Sequence, residues 1–250
     1  MAQIFLTTTG AQNWTVPSDW NNSNNTIEVI GDGSGAYYSG YYYAGAGGGY
    51  SSISNKSLTP GTSIPYFVGR GAGTNGAQFG DGTWFGNASY ASSYVAAEGG
   101  QSNGGAAANG IGTTKYSGGN RGNNGGGGAA GPHGDGAVSV LDVGGNADAG
   151  YGGAGGASLN PGGNGTEWDS THGSGGGGGK SNYGGNYGGG SGRNANYGSQ
   201  GIIVITYTPA PTKILSVKVS GVWKTATPFV KVAGVWKSIT PFYKVGGIWK

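Results

Sequence analysis

Of the 102 residues between Glu98 and Gly201, 39 are glycine. Ordering a glycine costs roughly 0.5–1 kcal/mol more than ordering an alanine, and glycine has no side chain to bury. Only the main chain is left to offset that cost. A backbone hydrogen bond contributes about 1 kcal/mol net, and closely stacked main chains add dispersion. Runs such as "GNNGGGGAAG" (Gly122–Gly131) and "GGAGGASLNPGGNG" (Gly152–Gly165) must therefore lie against one another or remain disordered. High glycine favours disorder, but low charge with 16 tyrosines and 7 tryptophans argues against it, since disordered segments favour Pro, Glu, Lys and Ser. There is no strict third-residue glycine and little proline, which excludes collagen.

The flanks of this region read as β-strands. Short β-prone stretches occur at Gln3–Leu6 and Asn13–Pro17. Asn25–Gly31 alternates with Ile27 and Val29 on one face, and Thr59–Gly69 gives a Pro-Gly turn and a further strand. "GIIVITYT" (Gly201–Thr208) is one strong strand, expected to pair beside the N-terminal ones. The reading is an all-β and irregular fold with essentially no α-helix. A small β base (1–70 and 201–208) carries a glycine-rich array over about 71–200.

"PAPT" (209–212) is a linker, and residues 213–250 repeat with a period of 13: "VKVSGVWKTATPF", "VKVAGVWKSITPF", "YKVGGIWK". Ser-Gly, Ala-Gly and Gly-Gly at the centre of each copy suit two-residue hairpin turns. Trp223, Trp236 and Trp249 recur at equivalent places, as do Lys218, Lys231 and Lys244, and the tryptophans are expected to stack on one side. These six are the candidate attachment residues. Short hairpins alone are marginal, so this tail needs the body, another copy or a larger assembly. It holds seven lysines and no acid, against ten acids and six bases in residues 1–207.

No cysteine is present, so neither disulfides nor thiolate chemistry are available. "MAQIFLTTTG" lacks a basic n-region and a long apolar core, and no run of 18 apolar residues occurs; the expectation is a chain made in a cytoplasm, with no export leader and no membrane insertion. "SGGGGGKS" (Ser174–Ser181) falls short of a phosphate loop because Ser174 stands at its first glycine, and neither the preceding strand nor the following helix is present. Gly31, Gly33 and Ala36 match a dinucleotide fingerprint, but "YYSGYYYAGAGGG" cannot be the helix that must follow. His133 and His172, with Asp135 and Asp169, are weak evidence for a metal or triad. The reading has no catalytic residues, no metal and no cofactor. The lysine tail reads as the solvated face of a small sheet, not as a nucleic-acid patch.

The aromatic inserts remain. Tyr37, Tyr38, Tyr41, Tyr42, Trp84, Phe85, Tyr90, Trp168 and His172 lie in Tyr-, Ser-, Gly- and Asn-rich segments, the vocabulary of binding loops. They are the candidate receptor-binding residues. The competing reading is that they cover the glycine layers.

The order "NWTVP", "NTIEVIG", "GAGGGY", "LTPGTSIPYFVGRGAG", a long glycine-rich insert and "GIIVITYT" resembles the glycine-rich domain of bacteriophage tail and virion proteins. It is also similar to the glycine-rich adhesins at the tips of long tail fibres of T-even-like phages. The likeness covers about residues 3–208. It implies polyglycine II helices packed side by side, with loops at one end contacting the host receptor. This chain departs from the pattern in its basic hairpin tail and in glycine runs interrupted by Ala and Asn. The implied function is a virion structural protein, a tail-fibre or tail-tip adhesin. Its expected partners are a host surface protein or glycan, other virion proteins through 209–250, and the copies of a homotrimer. The alternative is a capsid decoration protein with no receptor role.

Overall fold

The computed structural model describes residues 1–38, 42–73, 79–210, 215–239, 244–245 and 248–249. It divides into two units, Met1–Pro209 and Ala210–Lys250. The first is all-β with no α-helix among the described residues, only short 3₁₀ turns. Its strands are β1 (Ala2–Leu6), β2 (Gly10–Thr15), β3 (Asn25–Ile30), β4 (Tyr37–Tyr38), β5 (Tyr42–Tyr43), β6 (Tyr50–Ser54), β7 (Ser63–Val68), β8 (Thr83–Phe85), β9 (Val95–Ala97), β10 (Thr114–Tyr116) and β11 (Ile202–Tyr207). Two larger antiparallel sheets form, one in the order β1-β11-β3-β6-β10 and one in the order β2-β7-β8-β9, and β4 pairs with β5 alone.

The two sheets share a core. Ile27 and Val29 of β3 and Ile203 and Ile205 of β11 face Ile64 and Val68 of β7, Phe85 of β8 and Val95 of β9. Trp14 and Trp20 meet edge-on at 5.7 Å within it. The opposite face of the five-stranded sheet is also covered. There Ile30, Ile202 and Val204 pack with Ala129, Ala130, Ala147 and Tyr187, all from the glycine-rich region. Burial on both faces is why "IIVI" is a continuous apolar run instead of an alternating one, and β11 sits between β1 and β3 as its sequence suggested.

Between strands, the glycine segments satisfy one another. Successive amides from Gly125 to Ala130 donate to Leu141, Gly178, Gly45, Ala137, Gly175 and Gly48. Three neighbouring segments are thus visited in rotation, twice. Gly175 to Lys180 behave alike, donating to Tyr187, Gly163, Gly145, Gly190, Asn160 and Asp142. A donor direction that recurs every third residue is what a threefold extended helix without internal hydrogen bonds requires. Contact between the chains is too close for a side chain. A Cβ on Gly127 would stand 1.9 Å from the Gly119 carbonyl oxygen, and one on Gly177 2.0 Å from that of Gly126.

The array begins earlier than the sequence reading placed it. Residues 31–36 and 44–49 belong to it: Gly45 donates to Ser191, Gly47 to Gly119 and Gly48 to Gly188. Conversely β8, β9 and β10, inside the expected array, complete the sheets.

The second unit holds three antiparallel pairs: β12 (Leu215–Val219) with β13 (Val222–Ala226), β14 (Phe229–Val232) with β15 (Val235–Ser238), and β16 (Lys244–Val245) with β17 (Ile248–Trp249). Ser220-Gly221 and Ala233-Gly234 all have positive φ, the type I′ geometry. Trp236 is exposed. The expected stacking of the three tryptophans falls outside the described residues, since the side chains of Trp223 and Trp249 are not among them.

Candidate functional site

The hydrogen bonds that align the glycine segments also sort the loops into two groups. Residues 31–36 leave β3 and 44–49 return to β6, so the β4–β5 hairpin marks the distal end. Gly127 aligns with Gly45 and Ala130 with Gly48, which puts 121–124 at that end too. By the same pairing, 140–143, 158–160, 180–183 and 193–197 lie distally. Loops 131–135, 148–152 and 166–172 return to the sheet.

At the sheet end the loops are locked by buried carboxylates. Glu28 accepts hydrogen bonds from Tyr50 Oη at 2.7 Å and Trp168 Nε1 at 3.1 Å. Asp148, fully buried, accepts the amides of His133 and Gly134 and lies 2.5 Å from His133 Nδ1. Glu167 holds the amide and hydroxyl of Ser174. Burial pushes the Glu28 and Glu167 carboxyls above the usual range. Asp32 takes the amides of Gly71, Asp81 and Gly82, and its burial outweighs those bonds, raising it to about 6. Asp169 goes the other way: amide and hydroxyl donors from Thr171 and the His172 ring and amide hold it at about 2.

The distal end is a stitched surface. Asn124 Nδ2 donates to Asp142 Oδ1 at 2.5 Å, Arg193 Nη1 to Asn124 Oδ1 at 3.1 Å, and Asn194 Nδ2 to Ser181 Oγ at 2.9 Å. Asn182 Nδ2 donates to the Leu159 carbonyl. On this surface stand Leu141 (75% exposed), Val140, Leu159 (67% exposed), Tyr183 and Tyr197, the two tyrosines stacked at 6.2 Å. Beside it, the Arg121 guanidinium lies 4.5 Å from the Tyr37 ring centroid and 4.6 Å from that of Tyr43, and Tyr37 meets Phe79 at 5.6 Å.

The candidate receptor residues do not converge. Tyr37 is distal. The β4–β5 backbone pairs Tyr38 with Tyr42, while their side chains, and Tyr41 altogether, lie outside the described residues. Phe85 must be withdrawn: it is wholly buried against Trp14, because β8 alternates and turns Thr83 and Phe85 inward. Trp84 faces outward on the four-stranded sheet, stacked on Phe67 at 4.3 Å with Tyr90 at its edge. The Tyr90 hydroxyl donates to the Asn109 carbonyl, and burial raises its pKa. Trp168 and His172 are at the sheet end, away from the tip: Trp168 is tied to Glu28, and His172 is stacked between Phe5 at 3.9 Å and Tyr187 at 5.9 Å. The attachment residues do pair: Lys218 opposes Trp223, Lys231 opposes Trp236 and Lys244 opposes Trp249.

The sequence reading missed Leu141 and Leu159. Their signal was aliphatic residues alone between glycine runs, in "SVLDVGG" and "ASLNPGG". The phosphate-loop-like run is plainly accounted for, since every amide from Gly175 to Lys180 is bonded to a protein carbonyl. No protein-family model matches the chain, and no curated protein is significantly similar to it.

Proposed function

We propose that this chain is a bacteriophage virion protein, a receptor-binding adhesin of a tail fibre or tail tip, which presents the distal loops to a host surface protein or glycan. The observation that carries this reading is Leu141. It is three-quarters exposed and sits at φ 53°, a backbone region that costs a non-glycine residue roughly 1–2 kcal/mol. It buries almost nothing in return. Strain of this kind, displayed on a dense and rigid array, fits a contact surface.

The test is binding of the purified chain to host cells. Leu141→Asn, which tolerates positive φ, combined with Leu159→Ser, lowers cell binding at least about tenfold, the scale of one or two interface anchors. The thermal midpoint does not fall, and relief of the strain at Leu141 raises it slightly. Undiminished binding by the double variant, or antibody labelling of particle heads in place of tails, overturns the adhesin reading in favour of decoration.

A further inference from the structure

The three hairpins of residues 215–249 share one order of residues counted from the turn. First come paired aliphatic residues, Val219 opposite Val222, Val232 opposite Val235 and Val245 opposite Ile248. One register position behind them stands the lysine–tryptophan pair. In the first two hairpins the next position pairs Val217 with Lys224 and Val230 with Lys237. At about 3.4 Å per residue, the lysines and tryptophan lie within about 7 Å of the aliphatic level. Val219, Val222, Val232, Val235 and Trp236 are all exposed, Val222 and Val235 by 60% or more. Lys231 Nζ is 5.8 Å from the Trp236 ring centroid.

Residues 208–250 contain seven lysines but no Asp, Glu, Arg, His, Asn or Gln. Seven like charges oppose self-association. The missing amide and guanidinium side chains are the ones that read bases by paired hydrogen bonds. What remains is positive charge, aromatic rings and aliphatic tips, which suits a partner that is anionic outside and apolar just beneath.

We propose that the β12–β13, β14–β15 and β16–β17 pairs adsorb to an anionic lipid surface, each entering the headgroup region turn first. The paired valines reach the acyl boundary. Trp236 and its counterparts occupy the interfacial level where tryptophan is enriched, and the lysine amines meet lipid phosphates. In the first two hairpins the type I′ turn keeps the tip backbone bonded as it leaves water. A single hairpin buries too little apolar surface to hold. Three on one chain act together, because each bound copy raises the effective concentration of the next. This adsorption is peripheral and adds a second, receptor-independent contact to the molecule.

Flotation of the full chain with vesicles tests the proposal. The chain binds phosphatidylcholine vesicles containing phosphatidylglycerol, not phosphatidylcholine alone, and added salt releases it. Each of Lys231→Gln and Lys237→Gln lowers the partition coefficient about fivefold, whereas Lys231→Arg retains binding. Val232→Thr with Val235→Thr keeps the strand propensity and lowers partition roughly tenfold or more through lost apolar insertion. Brominated acyl chains quench tryptophan emission, and Trp236→Phe reduces the quenched amplitude. Full binding by the valine variant reduces the contact to charge alone and sinks the proposal. So does tighter binding to single-stranded DNA, or a dimer in sedimentation that the same valine changes dissociate. The vesicles carry no receptor, so failure here leaves the distal-loop reading standing.

Discussion

At the residue scale, glycine in this protein is defined by what surrounds it. Gly127 and Gly145 each face a carbonyl oxygen 1.9 Å from where a Cβ would stand, on Gly119 and Ala137 respectively. Both partners are main chain and neither can rotate away. Gly127→Ala and Gly145→Ala are therefore expected to cost at least about 3 kcal/mol each, the upper range for overpacking, seen as a large fall in thermal midpoint or as insoluble protein. Ala129→Gly deletes one methyl group that is buried in the core with Ile30 and Ile202, and costs about 1.5–2 kcal/mol from backbone freedom and the lost methyl together. Gly61 separates two effects: nothing lies within 4 Å of its Cβ position, but φ is +80°, so Gly61→Ala pays conformational strain alone, about 1–2 kcal/mol. Midpoints that fall as far for Ala129→Gly or Gly61→Ala as for Gly127→Ala and Gly145→Ala contradict the close-packed array. That the runs must pack was legible in glycine's lack of a side chain. Which alanines fit was not, because "GGGGAA" does not say which residue points at a neighbouring carbonyl.

At the scale of elements, alternation and its failures explain what could be read. Asn25–Ile30 and Ile202–Tyr207 declared themselves through apolar residues. Tyr50–Ser54, "YSSIS", and the three-residue β8, β9 and β10 did not. Their buried residues mix Tyr50, Phe85 and Val95 with Ser51, Ser52, Thr83, Ala96 and Ala97, and runs this short set up no apolar period to read. Trp84 and Phe85 looked equivalent in sequence, yet the pleat turns them to opposite faces. The carboxylates joining elements give a pH prediction. Asp32 titrates at about 6 when folded, above its usual value, so between about pH 4 and pH 6 the folded chain binds more protons than the unfolded one. Its contribution is greatest at acidic pH and declines as pH rises through 6. A shift of about two units corresponds to roughly 3 kcal/mol. Glu28 and Glu167 act in the same direction. Asp169, held at about 2, opposes them only at lower pH, where its stabilising bonds are lost as it protonates. The thermal midpoint should therefore be higher near pH 5 than near pH 8, and Asp32→Asn should flatten that slope. A midpoint that rises steadily from pH 5 to 8 contradicts the assignment.

At the scale of the whole molecule, the two units carry different physics. Met1–Pro209 has two apolar cores and an internally bonded array. Ala210–Lys250 has hairpins whose described side chains are largely exposed, and a two-stranded hairpin alone is marginally stable in water. A chain ended at Pro209 should keep the stability of the full chain to within about 0.5 kcal/mol, read from its thermal midpoint. It should also keep its loss of cell binding on Leu141→Asn. What should disappear is the salt-dependent part of cell binding, because the seven tail lysines are gone and exposed charges are screened over about 8–10 Å at physiological salt. Comparing both chains at low and high salt, with and without the Leu141 change, gives a two-by-two cycle. If the distal loops and the tail act on separate surfaces, the two effects add. Strong coupling between them would mean that one surface engages both, and the division of labour between array and tail would have to be abandoned.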